Sequence, residues 1–188
     1  MFMLYALLIG LIAGLLLGGR LAGLADLHFR WVPVFVLGLM AQLILFSDAV
    51  ADRIGDLGAP IYVASTAAVL VALAGNARIT GIPIVALGAT FNFLAIIANG
   101  GYMPAGGAAM EALDKSLGNA YSNSAVLAHP ALEPLTDVFS LPAWVPYANI
   151  FSIGDVLISL GVVVVIAVAM RRGRGGAPAH IPGLEQPV

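Results

Sequence analysis

The sequence predicts an all-α fold: a polytopic transmembrane helical bundle of about five membrane-spanning helices, with one short amphipathic helix in a long outer loop. Three observations predict it. Of the 188 residues, 61% are hydrophobic and only 10% are charged, against about 25% charged in soluble domains. The mean hydropathy is +1.01. Five apolar stretches approach the roughly 20 residues that cross a bilayer as a helix, and no Asp, Glu, Lys or Arg sits mid-span.

The expected spans are residues 2–18, 32–47, 60–75, 79–98 and 153–170, within a membrane domain of residues 1–172. Several are short, which implies little tilt or a locally thin bilayer. The first has no basic residue before it and no A-x-A site after it, so it reads as a retained span rather than a cleaved signal. Residues 99–152 form the one long connection, and residues 173–188, rich in Gly and Pro without an apolar period, read as a disordered cytoplasmic tail. In the long connection Met110, Leu113 and Leu117 repeat at helical spacing while Glu111, Asp114 and Lys115 take the other face. That pattern is the expected surface helix.

Basic residues in short loops stay on the cytoplasmic side. Five spans place Arg20, Arg30, Arg78, Arg171, Arg172 and Arg174 on one side, six of the eight Lys and Arg residues. The other side receives Asp48, Asp52, Asp56, Glu111, Asp114, Glu133 and Asp137, with only Arg53 and Lys115. The N-terminus is therefore expected outside and the C-terminus in the cytoplasm. Trp31 would mark the inner interface and Tyr102, Trp144 and Tyr147 the outer one, where amphipathic rings prefer the headgroup level.

Several functions lack their residues. A net charge of −2 without clustered Lys and Arg gives no nucleic-acid face. The absence of cysteine removes disulfides, thiolate metal sites and cysteine nucleophiles. His28, His129 and His180 fall too far apart in the expected topology to share a metal, and no H-E-x-x-H, G-x-S-x-G, P-loop or dinucleotide fingerprint occurs. No catalytic residue, metal or cofactor is expected, and the chain reads as a non-enzyme.

Gly10, Gly14 and Gly18 stand four apart on the first helix, a spacing that admits a close helix neighbour, either within the bundle or in a homo-oligomer or membrane partner protein. Gln42 and Asn92, with Ser65, Thr66 and Thr90, are buried polar positions whose ordinary use is an interhelical hydrogen bond. Ser152 three residues before Asp155 matches a capping box, and Asn99 with Gly100 fits a helix C-cap. Asn99, Gly100, Tyr102, Pro104, Asn149, Ser152 and Asp155 are together a candidate binding or structural surface.

The strings ANGGYMP (98–104) and PYANIFSIGDVLISLG (146–161), with Gly18-Gly19-Arg20 and Leu24-Ala25-Asp26-Leu27, resemble the bacterial domain of unknown function 5317 family. The resemblance covers most of the chain outside residues 105–145. It implies a multi-pass protein of the bacterial plasma membrane, and carries over no activity. The expected function is a non-enzymatic membrane module with an extracytoplasmic ligand- or partner-binding surface. A small transporter or channel component is the alternative, and an intramembrane lipid enzyme using Asp155 and His28 is the third reading.

Overall fold

A computed structural model of the protein describes residues 2–113, 124, 125 and 127–172. The described residues are mostly helical. The helices are α1 (Phe2–Leu16), α2 (Val32–Leu45), α3 (Asp48–Ile54), α4 (Gly58–Gly75), α5 (Ile82–Ala98), α6 (Gly107–Glu111) and α7 (Ile153–Arg172). Two-residue strands occur at β1 (Met103–Pro104), β2 (Ser124–Ala125), β3 (Phe139–Ser140) and β4 (Ile150–Phe151).

Local chemistry sets the helix ends. α1 stops where Gly18 takes a φ of 75° and the Gly19 amide donates back to the Gly14 carbonyl, a glycine-terminated C-cap. Pro33 and Pro83 stand in the first turns of α2 and α5, where a missing N–H is harmless. α5 ends at Gly100 and Gly101, and the Gly101 amide donates to Ile96 O at 2.8 Å.

Packing runs in the order α1, α7, α5, α4, α2, so the last helix lies between the first and α5. Gly10 faces Val163 and Ile166 while Gly14 faces Met170, which makes α1 and α7 parallel. Gly81 faces Gly161 and Val165 while Gly88 faces Gly154 and Ile158, which makes α5 and α7 antiparallel. The second contact is very close. A Cβ on Gly161 would lie 2.7 Å from the Val85 nitrogen and 2.9 Å from the Gly81 oxygen, and one on Gly154 would overlap the Asn92 side chain. Only hydrogen fits at these positions, so backbone meets backbone.

One end of the fold gathers the starts of α1, α4 and α7, the ends of α2 and α5, and the described residues between α5 and α7. At the other end, Asn76 is 3% exposed and ties the connection after α1 to the end of α4. Its Nδ2 donates to Arg30 O and Ala72 O, both at 2.8 Å, and its Oδ1 accepts from the Arg30 amide at 2.7 Å. Trp31, in a left-handed conformation, lies against Gly75.

The helices differ from the expected spans in length. Two are long and apolar enough to cross a membrane: the 27-residue run Ala49–Gly75, which joins α3 to α4 through a 3-10 turn, and the 20-residue α7. α1, α2 and α5 are apolar but have 15, 14 and 17 residues. Gly18 ends α1 early and Gly81 delays the start of α5, while α2 begins at Val32 as expected and ends at Leu45. Of the expected amphipathic helix, the described part is the five-residue α6 with Met110 and Glu111, followed by a turn at Leu113. Asp114, Lys115 and Leu117, and the tail 173–188, lie outside the described residues. The short strand pairs were not expected.

Large apolar side chains cover α1 and α2. Leu16 is 83% exposed, Leu37 68% and Leu43 64%, with Leu4, Leu8, Ile12 and Ile44 also open. Between α2 and α4 runs a groove of about 410 Å³ lined by Val34, Leu37, Gly38, Ala41, Ile61, Ala64, Ser65 and Ala68.

The glycine contact has a direct test. Gly154→Ala is expected to lower the thermal midpoint of the purified protein, with a cost of about 1–3 kcal/mol for forced overpacking. Gly107→Ala, where nothing lies within 4 Å, is expected to leave the midpoint unchanged.

Candidate functional site

The end of the fold that carries the described residues between α5 and α7 also holds a linked group of polar side chains. Asn92 on α5 and Asp155 on α7 face each other because the glycine contact brings the two backbones together. Asn92 Nδ2 donates to Asp155 Oδ1 at 2.9 Å, and Ser152 Oγ donates to Asn92 Oδ1 at 2.8 Å. The Asp155 amide donates to Ser152 Oγ and the Ser152 amide to Asp155 Oδ2, each at 3.1 Å. Ser152 and Asp155 thus close a reciprocal capping box on α7, in which an acid in the first turn also meets the positive end of the helix dipole. Asn92 locks that box to α5.

A cap of short elements sits on this joint. β1 pairs in parallel with β2, and on its other side Ala105 bridges to Asp137. The Asp137 amide donates to Pro104 O at 3.0 Å and Asp137 O accepts from the Gly106 amide at 2.9 Å. The Val138 amide donates to Thr136 O, so the chain turns tightly at Asp137. β3 and β4 form an antiparallel pair, with Phe139 stacked on Phe151 at 5.6 Å, and the connection between them leads back to Ser152. Asn99 fastens the cap from the other side. Its Nδ2 donates to Ala131 O and its Oδ1 accepts from the Ala131 amide, both at 2.8 Å.

Asp137 is the residue that sequence reasoning missed; there it figured only as one of several outer acids. It is 8% exposed, and its Oδ1 is buried without a hydrogen-bond partner. Burial first, and then the negative charge of Asp155, push its carboxyl from the ordinary 3.8 up to about 7. No local motif marks it, because its burial depends on the β1 partner more than thirty residues away.

The other expected residues fall in distinct places. Ser152 and Pro104 are fully buried, and Tyr102 and Asn149 are half-buried. Gly100, with a φ of 72°, serves the end of α5 and has open space around it. Gln42 Nε2 donates across to Ser65 Oγ and Thr66 Oγ1, both at 3.3 Å, while Thr90 bonds its own helix at Ala86 O. Gly10 and Gly14 lie against α7, and Gly18 lies past the end of α1. His28 bonds Asp26 O beside the segment that packs on the C-terminal part of α7, whereas Asp155 is at its start. The structure does not bring that pair together. Among the described residues no group of three or more His, Cys, Asp or Glu is placed to hold a metal.

Fold and joint together define a class: a helical protein with apolar outer helices, in which the described residues between α5 and α7 form a cap on the ends of those two helices. The chain belongs to the family of unknown function DUF5317, whose profile matches residues 26–167. Comparison with curated proteins and with solved structures returned no match.

Asn92→Ala removes the donor to Asp155 and the acceptor for Ser152 at once. It is expected to destabilise the fold by about 1–3 kcal/mol, read as a lower midpoint in a thermal melt. Gln42→Ala, which loses only longer bonds to Ser65 and Thr66, is expected to cost less, about 0.6 kcal/mol.

Proposed function

We propose that this protein is a five-span plasma-membrane module with its N-terminus outside, whose extracytoplasmic cap binds a partner or ligand without catalysing a reaction. The observation that carries the membrane part is the open apolar surface of α1 and α2. A water-soluble monomer rarely leaves contiguous apolar patches beyond a few hundred Å², and here Leu4, Leu8, Ile12, Leu16, Leu37, Leu43 and Ile44 all face outward. At 1.5 Å per residue, α1 and α2 reach about 21–22 Å against a hydrocarbon core of about 30 Å. Flanking apolar residues such as Leu17 and Phe46 and local thinning of the bilayer make up the difference at modest cost.

The orientation rests on charge and on aromatics. Arg20, Arg30, Arg78, Arg171 and Arg172 belong to the end opposite the cap, which fits retention of basic loops in the cytoplasm. Trp144 is 84% exposed and Tyr147 72%, and Tyr5 near the start of α1 donates its hydroxyl to Pro146 O between them. Rings exposed at the level where a helix begins suit the headgroup layer.

The binding part rests on how the cap uses its residues. Asn99, Pro104, Ser152 and Asp155 are spent on fastening it, so the contact surface is better sought among Leu132, Phe139, Trp144 and Tyr147, which stay exposed. Leu132 and Tyr147 also hold positive φ values of 53° and 55°, unusual for side chains of their size.

Reporter fusions test the topology. Alkaline phosphatase is expected to be active after Asp56 and Ala128, and green fluorescent protein to fluoresce after Ala77 and Val188. The reverse pattern would overturn the orientation. For the cap, the double substitution Trp144→Ala and Tyr147→Ala is expected to keep normal abundance yet reproduce the phenotype of gene deletion. Wild-type behaviour of that variant would remove the aromatic surface from the reading, and solute flux in proteoliposomes would favour a transporter instead.

A further inference from the structure

We propose that the Asp137 carboxyl, buried beside Asp155 and neutral while the cap is closed, is a proton-operated latch whose ionisation releases residues 133–141 from the ends of α5 and α7. The inference rests on the membrane reading above only for the side of the bilayer from which the proton comes.

The geometry leaves the ionised form poorly served. Asp137 Oδ1 has no hydrogen-bond partner, although its backbone is held on both sides by Pro104 and Gly106. The neighbouring carboxylate offers no relief, since Asp155 already accepts from Asn92 and from the Ser152 amide. The surrounding elements bring no Lys or Arg among the described residues, and His129 in the same connection is exposed. α7 presents Asp155, the 3-10 turn Glu133–Leu135 carries Glu133, and α6 carries Glu111, both exposed. α5 and β1 carry no titratable group. A buried carboxylate in such surroundings takes up a proton rather than stay charged.

The same residue holds the cap shut. Asp137 is the position through which the segment 135–138 joins β1, and the turn beside it packs on both α5 and α7. Thr136, 1% exposed, is buried with it. When the proton leaves to water, the charge is relieved by withdrawing Asp137 into solvent, and the two backbone bonds to Pro104 and Gly106 break with it.

Linkage fixes the direction. The closed form holds the proton up to about pH 7, whereas an exposed Asp releases it near 3.8. Closure is therefore strongest in acid, and the opening equilibrium rises by up to tenfold per pH unit from about 4 to about 7, then levels off.

Two measurements on the purified full-length chain in nanodiscs decide the matter. Infrared titration should find a protonated carboxyl band that disappears around neutral pH and is missing in Asp137→Asn. Hydrogen exchange at residues 104–106 and 135–138, corrected for the intrinsic pH dependence of exchange, should show protection falling as pH rises toward 7 in the wild type. In Asp137→Asn protection should be flat. Asp155→Asn gives a second handle, because removing the neighbouring charge should move the infrared midpoint to lower pH. No carboxyl titrating above about pH 5, or wild-type protection independent of pH, would overturn the latch. These readouts do not depend on sidedness, so a reversed topology in the reporter fusions would leave the latch standing and only change which compartment it senses.

Discussion

The contact between α5 and α7 is the constraint from which the rest of the structure follows. Gly81 and Gly88 on one helix meet Gly154 and Gly161 on the other with no room for a Cβ, and carbonyls lie against facing backbone. Close van der Waals approach and polar contacts hold the two helices together. The glycines allow the first and thereby the second. Only at that separation can Asn92 reach both Ser152 and Asp155, whose side chains are short. With α7 fixed against α5, its opposite side is available to Gly10 and Gly14, and α1 packs there rather than on α2, its neighbour in sequence.

A second constraint acts at the end of this pair. Helix termini carry unsatisfied backbone groups, and the cap buries the start of α7 and the end of α5. The fold answers with side chains that reach backbone: Ser152 and Asp155 at one terminus, Asn99 at the other. Asn99 does more than end its helix, because its amide also pairs with both backbone groups of Ala131. The cap is therefore joined to the helix ends chiefly by amide and carboxyl groups, each with a defined partner. Asp137 departs from that pattern, because its buried Oδ1 has no hydrogen-bond partner.

Much of this was legible in the sequence where the determinants are local. Apolar runs bounded by Gly-Gly, Pro and Asn-Gly gave the positions of α1, α2, α4, α5 and α7, because turn residues act within a few positions of themselves. The Ser152 and Asp155 pattern could be read as a capping box for the same reason. The first and fourth expected spans were too long, since hydropathy counts apolar residues and does not see that Gly18 and Gly81 take backbone conformations outside the helix, whereas α4 and α7 run two residues longer than expected. The glycines of α5 and α7 were passed over because neither pair is four apart. Their match is between helices seventy residues distant, and a spacing rule within one helix cannot find it. Asn76 and Asp137 were hidden similarly, as each is buried by a segment remote in sequence.

The placement of the family-like strings changes what they mean. Residues 98–104 and 146–161 read, from sequence, as an outward surface rich in turns, aromatics and one acid. In the fold their polar side chains point largely into the joint: Asn99 to Ala131, Ser152 to Asn92, Asp155 to both Asn92 and the Ser152 backbone. A ligand could reach Ser152, which is completely buried, only by displacing the cap. In this chain the strings dock the connection on two helices, and the aromatic side chains left exposed include Trp144 between them and Tyr147 within the second.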